Sequence, residues 1–404
     1  YAYLNFTSAF DTNHYYLTST LAATSFCLPG QTKNQCTTGN GAFALGPGNP
    51  VYAALLNLNA AASGPALDQL SGLPYTFGNL LAFRAITGFH GLLNQRIGSD
   101  TSMQTAFEQL SNLRLAYNGD DLSGFVSPPE KDGFWIRALA NDGRVNGDGN
   151  AAGADTSGGG VALGADRWLT PDLKAGVAFA YSRDRADVDN GLGSLALDSY
   201  QLAAYARWQN IAGTPGRYLN ASIGYGIHKG EGNRDMALIG QRANGNYDAD
   251  SYTASIEAGQ NFASGQATLT PYVGLAAARV VRGDFSESGG AAALRIAGRT
   301  DNSLRSSVGL RAAWWTESLA PTVDMAWVHE YDDSQGGIDA GFAVAPATTR
   351  FGIVGPKLER DRLALKLGLT AWKDKTSRLD VGYNGEFASS DRNHMAAATF
   401  RWVW

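Results

Sequence analysis

From about residue 130 to the end of the chain, apolar side chains recur on every second position. In "SYQLAAYARW", Tyr200, Leu202, Ala204, Ala206 and Trp208 share one face, while Gln201, Ala203, Tyr205 and Arg207 share the other. "RLALKLGLTAW" sets Leu363, Leu365, Leu367 and Leu369 against Ala364, Lys366, Gly368 and Thr370. In "LDVGYNGEF", Leu379, Val381, Tyr383 and Phe387 oppose Asp380, Gly382, Asn384 and Glu386. A period of two is the signature of a strand with two unlike faces. About twelve such segments begin near residues 134, 157, 173, 195, 217, 249, 267, 302, 320, 358, 376 and 391.

Upstream the period changes. Two segments predict helices, 76–97 ("TFGNLLAFRAITGFHGLLNQRI") and 101–117 ("TSMQTAFEQLSNLRLAY"). In the second, Met103, Phe107, Leu110 and Leu113 recur at three- and four-residue steps, behind Thr101 or Ser102 as N-cap. A shorter helical pair is expected over 49–71, and the first 22 residues, with "HYYLTSTL" among them, predict strands.

Alternation alone does not separate a soluble sandwich from a membrane barrel, but the connections do. Short links ("LTPDL", "ASGQA", "TESLA", "WKDKTS") alternate with long polar ones at about 145–157, 184–194, 229–247, 283–300 and 332–356. Short turns at one end and long loops at the other characterise outer-membrane barrels. Mean hydropathy is −0.20, and no run approaches the roughly 18 apolar residues of a membrane helix. That excludes helical spans only, because strands cross a bilayer without such a run. The expected fold is therefore an all-β transmembrane barrel of about 12 antiparallel strands, closed because no sheet edge can stay unpaired in hydrocarbon.

Charge narrows the function further. Lys and Arg number 32 against 37 Asp and Glu, a net −5, and charged residues make up 17% of the chain. Nothing in that balance offers the clustered basic face that nucleic acid requires. The small-or-polar face of the strands carries Arg137, Arg207, Arg305, Arg311, Lys366, Asp380, Glu386 and Arg401. These are the expected lumen-facing charges. They could hydrate a channel or grip a passing peptide, or they could neutralise one another around a plug.

Soluble-enzyme chemistry is thin. There is no G-x-S-x-G, P-loop, H-E-x-x-H or strand-linked G-x-G-x-x-G. His14, His90, His228, His329 and His394 are scattered, and His329-Glu330 at a strand end reads as rim packing. The acidic stretches "RVNGDGNAAGAD" and "SRDRADVDNG" lack EF-hand spacing and read as solvated loop. No catalytic residue, metal or cofactor is expected. Cys27 and Cys36, the two cysteines, flank a Pro/Gly/Asn-rich stretch and are expected to form a disulfide in an oxidising compartment; free thiols are the alternative. Tyr1 opens in mid-pattern with no signal peptide, so the chain is expected to continue something longer.

At this point the sequence resembles a known family. "GRVNGDGNAAGADTSGGGVALGADRWLTPDLKAGVAFAYSRDRADVD", "GDFSESGGAAALRIAGRTDNSLRSSVGLRAA" and "LDVGYNGEFASSDRNHMAAATFRWVW" resemble the autotransporter β-domain, the translocator of type V secretion. "GNPVYAALLNLNAAASGPALDQLSG" is similar to the segment joining a passenger to its barrel, and "DTNHYYLTSTL" to the last strands of a β-helical passenger. The pattern departs from the common form at "SGLPYTF".

The resemblance implies three parts. Residues 1–45 would be the end of the passenger with a disulfide loop, 46–131 a helical linker and plug, and 132–404 the barrel. It implies a Gram-negative outer membrane, an extracellular passenger side, and a non-catalytic, monomeric barrel. Its partners would be outer-membrane lipids, the barrel assembly machinery and its own passenger. The 101–117 helix is the first choice for the plug and 76–97 the second. Asn94 and Asn112 lie in these helices, but without a paired-Asn pattern no self-cleavage is expected. Alternatives are a solute porin, or the anchor of an enzymatic (esterase or protease) passenger.

The chain stops on "MAAATFRWVW". Phe400, Trp402 and Trp404 share the face assigned to lipid, with Thr399 and Arg401 facing the lumen. The resemblance implies that such an aromatic end is the signal read during barrel assembly.

Overall fold

In a computed structural model the alternating segments pair edge to edge until the sheet meets itself. The structure describes residues 1–115, 133–210, 216–264, 266–314, 320–332, 335–373 and 376–403; the side chains of 97–115, 372–373 and 403 fall outside the description. A hairpin, β1 (Leu4–Phe10) and β2 (Tyr15–Leu21), precedes three helices, α1 (Lys33–Phe43), α2 (Pro50–Leu56) and α3 (Ala60–Leu70). A 3-10 turn (Leu73–Phe77) leads into α4 (Gly78–Leu115). Then come β3 (Gly133–Val145), β4 (Ala154–Thr170), β5 (Leu173–Val188), β6 (Gly193–Gln209), β7 (Arg217–Met236), β8 (Gln241–Gln260), β9 (Phe262–Ser264) and β10 (Ala267–Arg282). The chain goes on through β11 (Phe285–Ser286), β12 (Leu294–Ile296), β13 (Arg299–Trp314), β14 (Pro321–Glu330), β15 (Gly337–Phe342) and β16 (Phe351–Val354). It finishes on β17 (Asp361–Lys373), β18 (Ser377–Phe387) and β19 (Asp391–Val403).

Twelve long strands (β3–β8, β10, β13, β14 and β17–β19) form one antiparallel barrel. The last strand closes on the first, with Trp402 opposite Phe134 and Thr399 opposite Arg137. Closure leaves no barrel edge for lipid to meet.

The side chains sort by parity as the alternation predicts. Tyr200, Leu202 and Trp208 of β6 point outward, Leu202 being 58% exposed, while Gln201, Tyr205 and Arg207 are buried inside. Phe134, Trp208, Trp314 and Trp402 mark the short-turn end of the outward apolar band; Tyr200, Tyr225, Tyr252 and Trp327 mark the other. These are the two aromatic girdles of a membrane barrel.

Two expected loops are strand instead. Residues 184–194 and 229–247 are mostly the ends of β5 to β8, joined by tight 3-10 turns at Asp189–Gly191 and Ala237–Ile239. At 20 residues each, β7 and β8 are about 65 Å long, far more than a tilted strand needs to cross an apolar band about 25 Å tall. Beyond the upper girdle the polarity of the two faces reverses. Outward positions become Lys229, Glu231 and Asp235, whereas inward positions become Leu195, Leu197, Met236, Ala243 and Tyr247. A reading that expects apolar side chains outside therefore ends each strand at the girdle.

The inverted section is the floor of a water-facing cap. Leu195 and Met236 pack with Leu55, Leu67, Leu70 and Tyr75 of the N-terminal helices and with Leu294, Ile338 and Phe342 of a small sheet formed by β11, β12, β15 and β16. Arg234 and Glu287 form an ion pair fully buried in this cap, and Arg234 Nη1 also donates to the Gln69 carbonyl at the end of α3 (2.9 Å). Asn34 of α1 bonds to both Asn150 and Val354, tying the helix to two of the long connections. Asp148 sits in one of those connections. Burial raises its carboxyl, yet the N–H groups of Ala151, Lys357 and Asn150 win and hold it below the usual range.

Helix α1 was not expected; the stretch between Cys27 and Cys36 was expected to be a disulfide loop. Its capping box is visible in "TKNQ", where Thr32 Oγ1 accepts from Gln35 N (3.1 Å) and Gln35 Oε1 from Thr32 N (3.0 Å). Gly39 and Gly41 argue against a helix on propensity. They are there for contact: a Cβ on Gly39 would lie 2.7 Å from the Phe26 carbonyl, and one on Gly41 would strike the Phe351 ring. Cys36 stands in the first turn of α1 and is disulfide-bonded to Cys27. The hairpin of β1 and β2 is antiparallel and stands apart from the other sheets.

The reversal is testable at two leucines. Leu195→Asp should expose the N-terminal cap to limited proteolysis while the barrel keeps its heat-dependent gel shift. Leu202→Asp, seven residues along the same strand, should instead reduce membrane insertion. Matching phenotypes for the two variants would refute the polarity switch.

Candidate functional site

The barrel wall offers small residues where the helix passes. Ala162, Ala178, Ala180 and Ala203 form a shallow apolar strip with Trp135 and Tyr205, and Phe89, Leu92 and Leu93 of α4 lie against it. Gly224 of β7 completes the fit, since a Cβ there would come within 3.1 Å of His90 Nε2. The two expected helices, 76–97 and 101–117, are one continuous helix. The span from Gly78 to Arg96 is about 28 Å long at 1.5 Å per residue, enough to cross a bilayer core. This second-choice segment lies in the lumen. The side chains of the first choice, 101–117, lie outside the described residues.

Polar contacts fasten the helix at three heights. Near the long-loop end, Arg84 donates to Thr156 Oγ1 (2.6 Å) and to Asp391 Oδ2 (3.3 Å), a carboxylate that Arg362 also engages at 2.6 Å. Midway, His90 Nδ1 pairs with Ser222 Oγ at 2.8 Å, and Gln201 Nε2 donates to the Ala85 carbonyl at 3.2 Å. Near the short-turn end, Arg96 Nη2 meets Asp166 Oδ1 at 2.9 Å; Lys174 Nζ reaches the same oxygen at 2.9 Å and Tyr205 donates to the other.

The eight charges named on the small-or-polar strand faces make the following contacts among the described residues. Arg305 bridges Glu330 (3.0 Å) and Glu386 (3.8 Å) and reaches Thr87 of the helix at 3.5 Å. Arg311 pairs with Asp324 (3.1 Å) and Glu257 (3.7 Å), and Lys366 Nζ reaches the same Asp324 oxygen at 3.7 Å. Asp380 takes Arg378 at 2.6 Å and Arg401 at 3.4 Å. Arg207 donates to Asn220 and covers the Tyr218 ring at 4.1 Å. Arg137 lies deep in the wall, 6% exposed. Sequence reasoning missed Arg84, His90 and Arg96 on the helix, and Asp166, Lys174, Asp324, Glu330, Arg362, Arg378 and Asp391 on the wall. Parity was the available signal: Arg362 is in phase with Lys366, and Asp324 is in phase with Glu330.

The helix does not fill the bore. Gly88 and Gly91 face a cavity of about 170 Å³ bounded by Glu257, Tyr272, Arg305 and Lys366, with Asn94 at its edge. A smaller one, about 60 Å³, opens beside Leu92, Gln95 and Arg96. Outside the lumen, His329 Nδ1 pairs with Asp361 at 2.8 Å near the upper girdle, the rim position expected for it. Phe400 and Trp402 project to the lipid side; Trp404 lies outside the described residues.

The chain is similar to several known proteins. The chain is 27% identical over 366 residues to an extracellular serine protease of Serratia marcescens, covering 88% of this chain and 32% of that one. A second extracellular serine protease of that organism is 29% identical over 282 residues, covering 68% and 26%. The chain thus spans about a third or less of the length of the curated relatives it matches. Among solved structures, the translocator domain of autotransporter NalP from Neisseria meningitidis superposes with a TM-score of 0.57 at 15% identity, over 75% of this chain and 98% of that one. The family model "Autotransporter beta-domain" matches residues 134–384, more than half of the chain. The chain belongs to the autotransporter β-domain family, whose barrels sit in the bacterial outer membrane.

Proposed function

We propose that this chain is the translocator and membrane anchor of an autotransporter, delivering a passenger joined ahead of residue 1 to the cell surface. One observation carries the reading: the chain passes once through its own barrel. Helices α1 to α3 and the turn before α4 pack against the long connections, α4 descends the lumen, and β3 starts at the short-turn end, where Gly133 pairs with Val403. A solute porin has no need of such a path. In this reading 1–45 is the passenger's end, 46–131 the linker and plug, and 132–404 the barrel.

The lumenal charges act together as a hydrated lining that re-pairs around the helix once transport ends. The barrel carries no catalysis; activity belongs to the passenger, and the protease names of the relatives favour a peptidase there. Phe400, Trp402 and Trp404 serve as the address read by the assembly machinery, and the girdles seat the barrel among outer-membrane lipids.

Topology gives the direct test. An epitope fused ahead of Tyr1 should bind antibody on intact cells, and one inserted at Pro171-Asp172 only after permeabilisation. The converse labelling would overturn the reading. Removal of residues 1–128 should raise conductance in planar bilayers severalfold, whereas a porin would change little. Deleting Trp404 should slow insertion more than it lowers the stability of assembled barrels, and equal losses would leave it a packing role alone. Asp391→Asn strips Arg84 and Arg362 of their shared carboxylate. Breaking such a buried pair costs about 3–5 kcal/mol, so the variant should lose its gel shift at lower temperature and leak more current.

A further inference from the structure

The small cavity near the short-turn end is lined by four guanidinium groups and one carboxylate: Arg96, Arg137, Arg378, Arg401 and Asp380. Arg96 comes from the plug and the other four from the wall. Their register explains the crowding. Asp380, Thr399 and Arg137 stand in one row across β18, β19 and β3, and Arg378, Arg401 and Trp135 stand in the next. Asp380 answers Arg378 and Arg401, and Asp166, behind the cavity, answers Arg96 and Lys174.

Arg137 is left over. No hydrogen bond or ion pair reaches it from the described residues, its Nε is buried without an acceptor, and only 6% of its surface is exposed. A buried charge is retained when something of opposite sign answers it. Water can accept its hydrogen bonds but cannot neutralise it.

We propose that this cavity is an oxyanion site, taking a phosphate- or carboxylate-type anion between the plug and the wall. The size agrees: about 60 Å³ exceeds the space of a single water and suits one small oxyanion. The donors agree as well, because guanidinium groups present paired N–H donors that match such oxygens. With Gln95 and Arg96 on the helix and Arg137 and Arg401 on the wall, one anion bridges both and fastens the lower end of the plug. The site does not depend on what the barrel transports.

The experiment uses the full chain in detergent, with inorganic phosphate, sulfate and acetate compared against chloride at equal ionic strength. Phosphate should raise the heat-unfolding midpoint by a saturable few degrees; acetate acting better than phosphate would assign a planar carboxylate as the ligand. Arg137→Gln should lose that response, and without added oxyanion it should unfold at the wild-type midpoint or above, since it removes an unanswered charge. Arg185→Gln, at an exposed pair outside the barrel, should respond like wild type. Titration calorimetry of the wild type with phosphate and acetate gives a readout even if a variant fails to fold.

The proposal is overturned if no oxyanion produces a saturable response beyond chloride, or if Arg137→Gln responds as wild type does. A midpoint lowered by Arg137→Gln in oxyanion-free buffer also overturns it, because Arg137 would then already have its counter-charge within the protein.

Discussion

A peptide group in hydrocarbon must find its partner within the protein. That constraint forces the sheet to close, and closure fixes the rest. Twelve strands enclose a bore too wide for wall side chains to fill, and the residual space is the size of one helix. The wall then has two unlike tasks on alternate residues. Outward it offers Leu, Val and Ile between aromatic girdles. Inward it offers alanine and glycine where α4 presses, and charge where it does not.

Charge inside the barrel obeys a sharing rule. Among the described residues, three carboxylates each serve more than one cation: Asp324 faces Arg311 and Lys366, Asp380 faces Arg378 and Arg401, and Asp166 faces Arg96 and Lys174. Pairs of this kind roughly recover their desolvation cost and add little net stability. Their use is different. A polar wall stays hydrated with or without the helix, so the lumen need not collapse when the helix is absent.

Much of this was legible in the chain. Strand number, closure between the two terminal strands and the parity of Arg207 or Leu202 follow from a two-residue period, while the family came from the resemblance of whole segments such as "GDFSESGGAAALRIAGRTDNSLRSSVGLRAA". What the period could not supply was the point where its meaning changes. Leu195 and Leu197 share a face with Gln201 and Arg207, and only the height of the membrane boundary separates an apolar core from a polar lumen. The 76–97 segment ranked second for a related reason. Phe89 and Leu93 meet a wall of alanines, so the 76–97 segment has no broad apolar partner to announce it. Helix α1 was hidden by glycines chosen for contact with Phe26 and Phe351.

The reversal of polarity also says what holds the plug. The upper turns of α4, Leu80 to Ile86, belong to the apolar core of the cap; the lower turns meet the lumen. Leu81, Phe83 and Ile86 each contribute about 1.5–3 kcal/mol by burial, more than the shared ion pairs below can offer. The cap can assemble only on the outer side, since its floor is made by the projecting ends of β5 to β8. A helix drawn back toward the short-turn end would have to strip that core as well as break the pair between Arg96 and Asp166. The apolar cap folded onto the rim thus adds burial beyond the girdle to the polar contacts that hold the helix within the lumen.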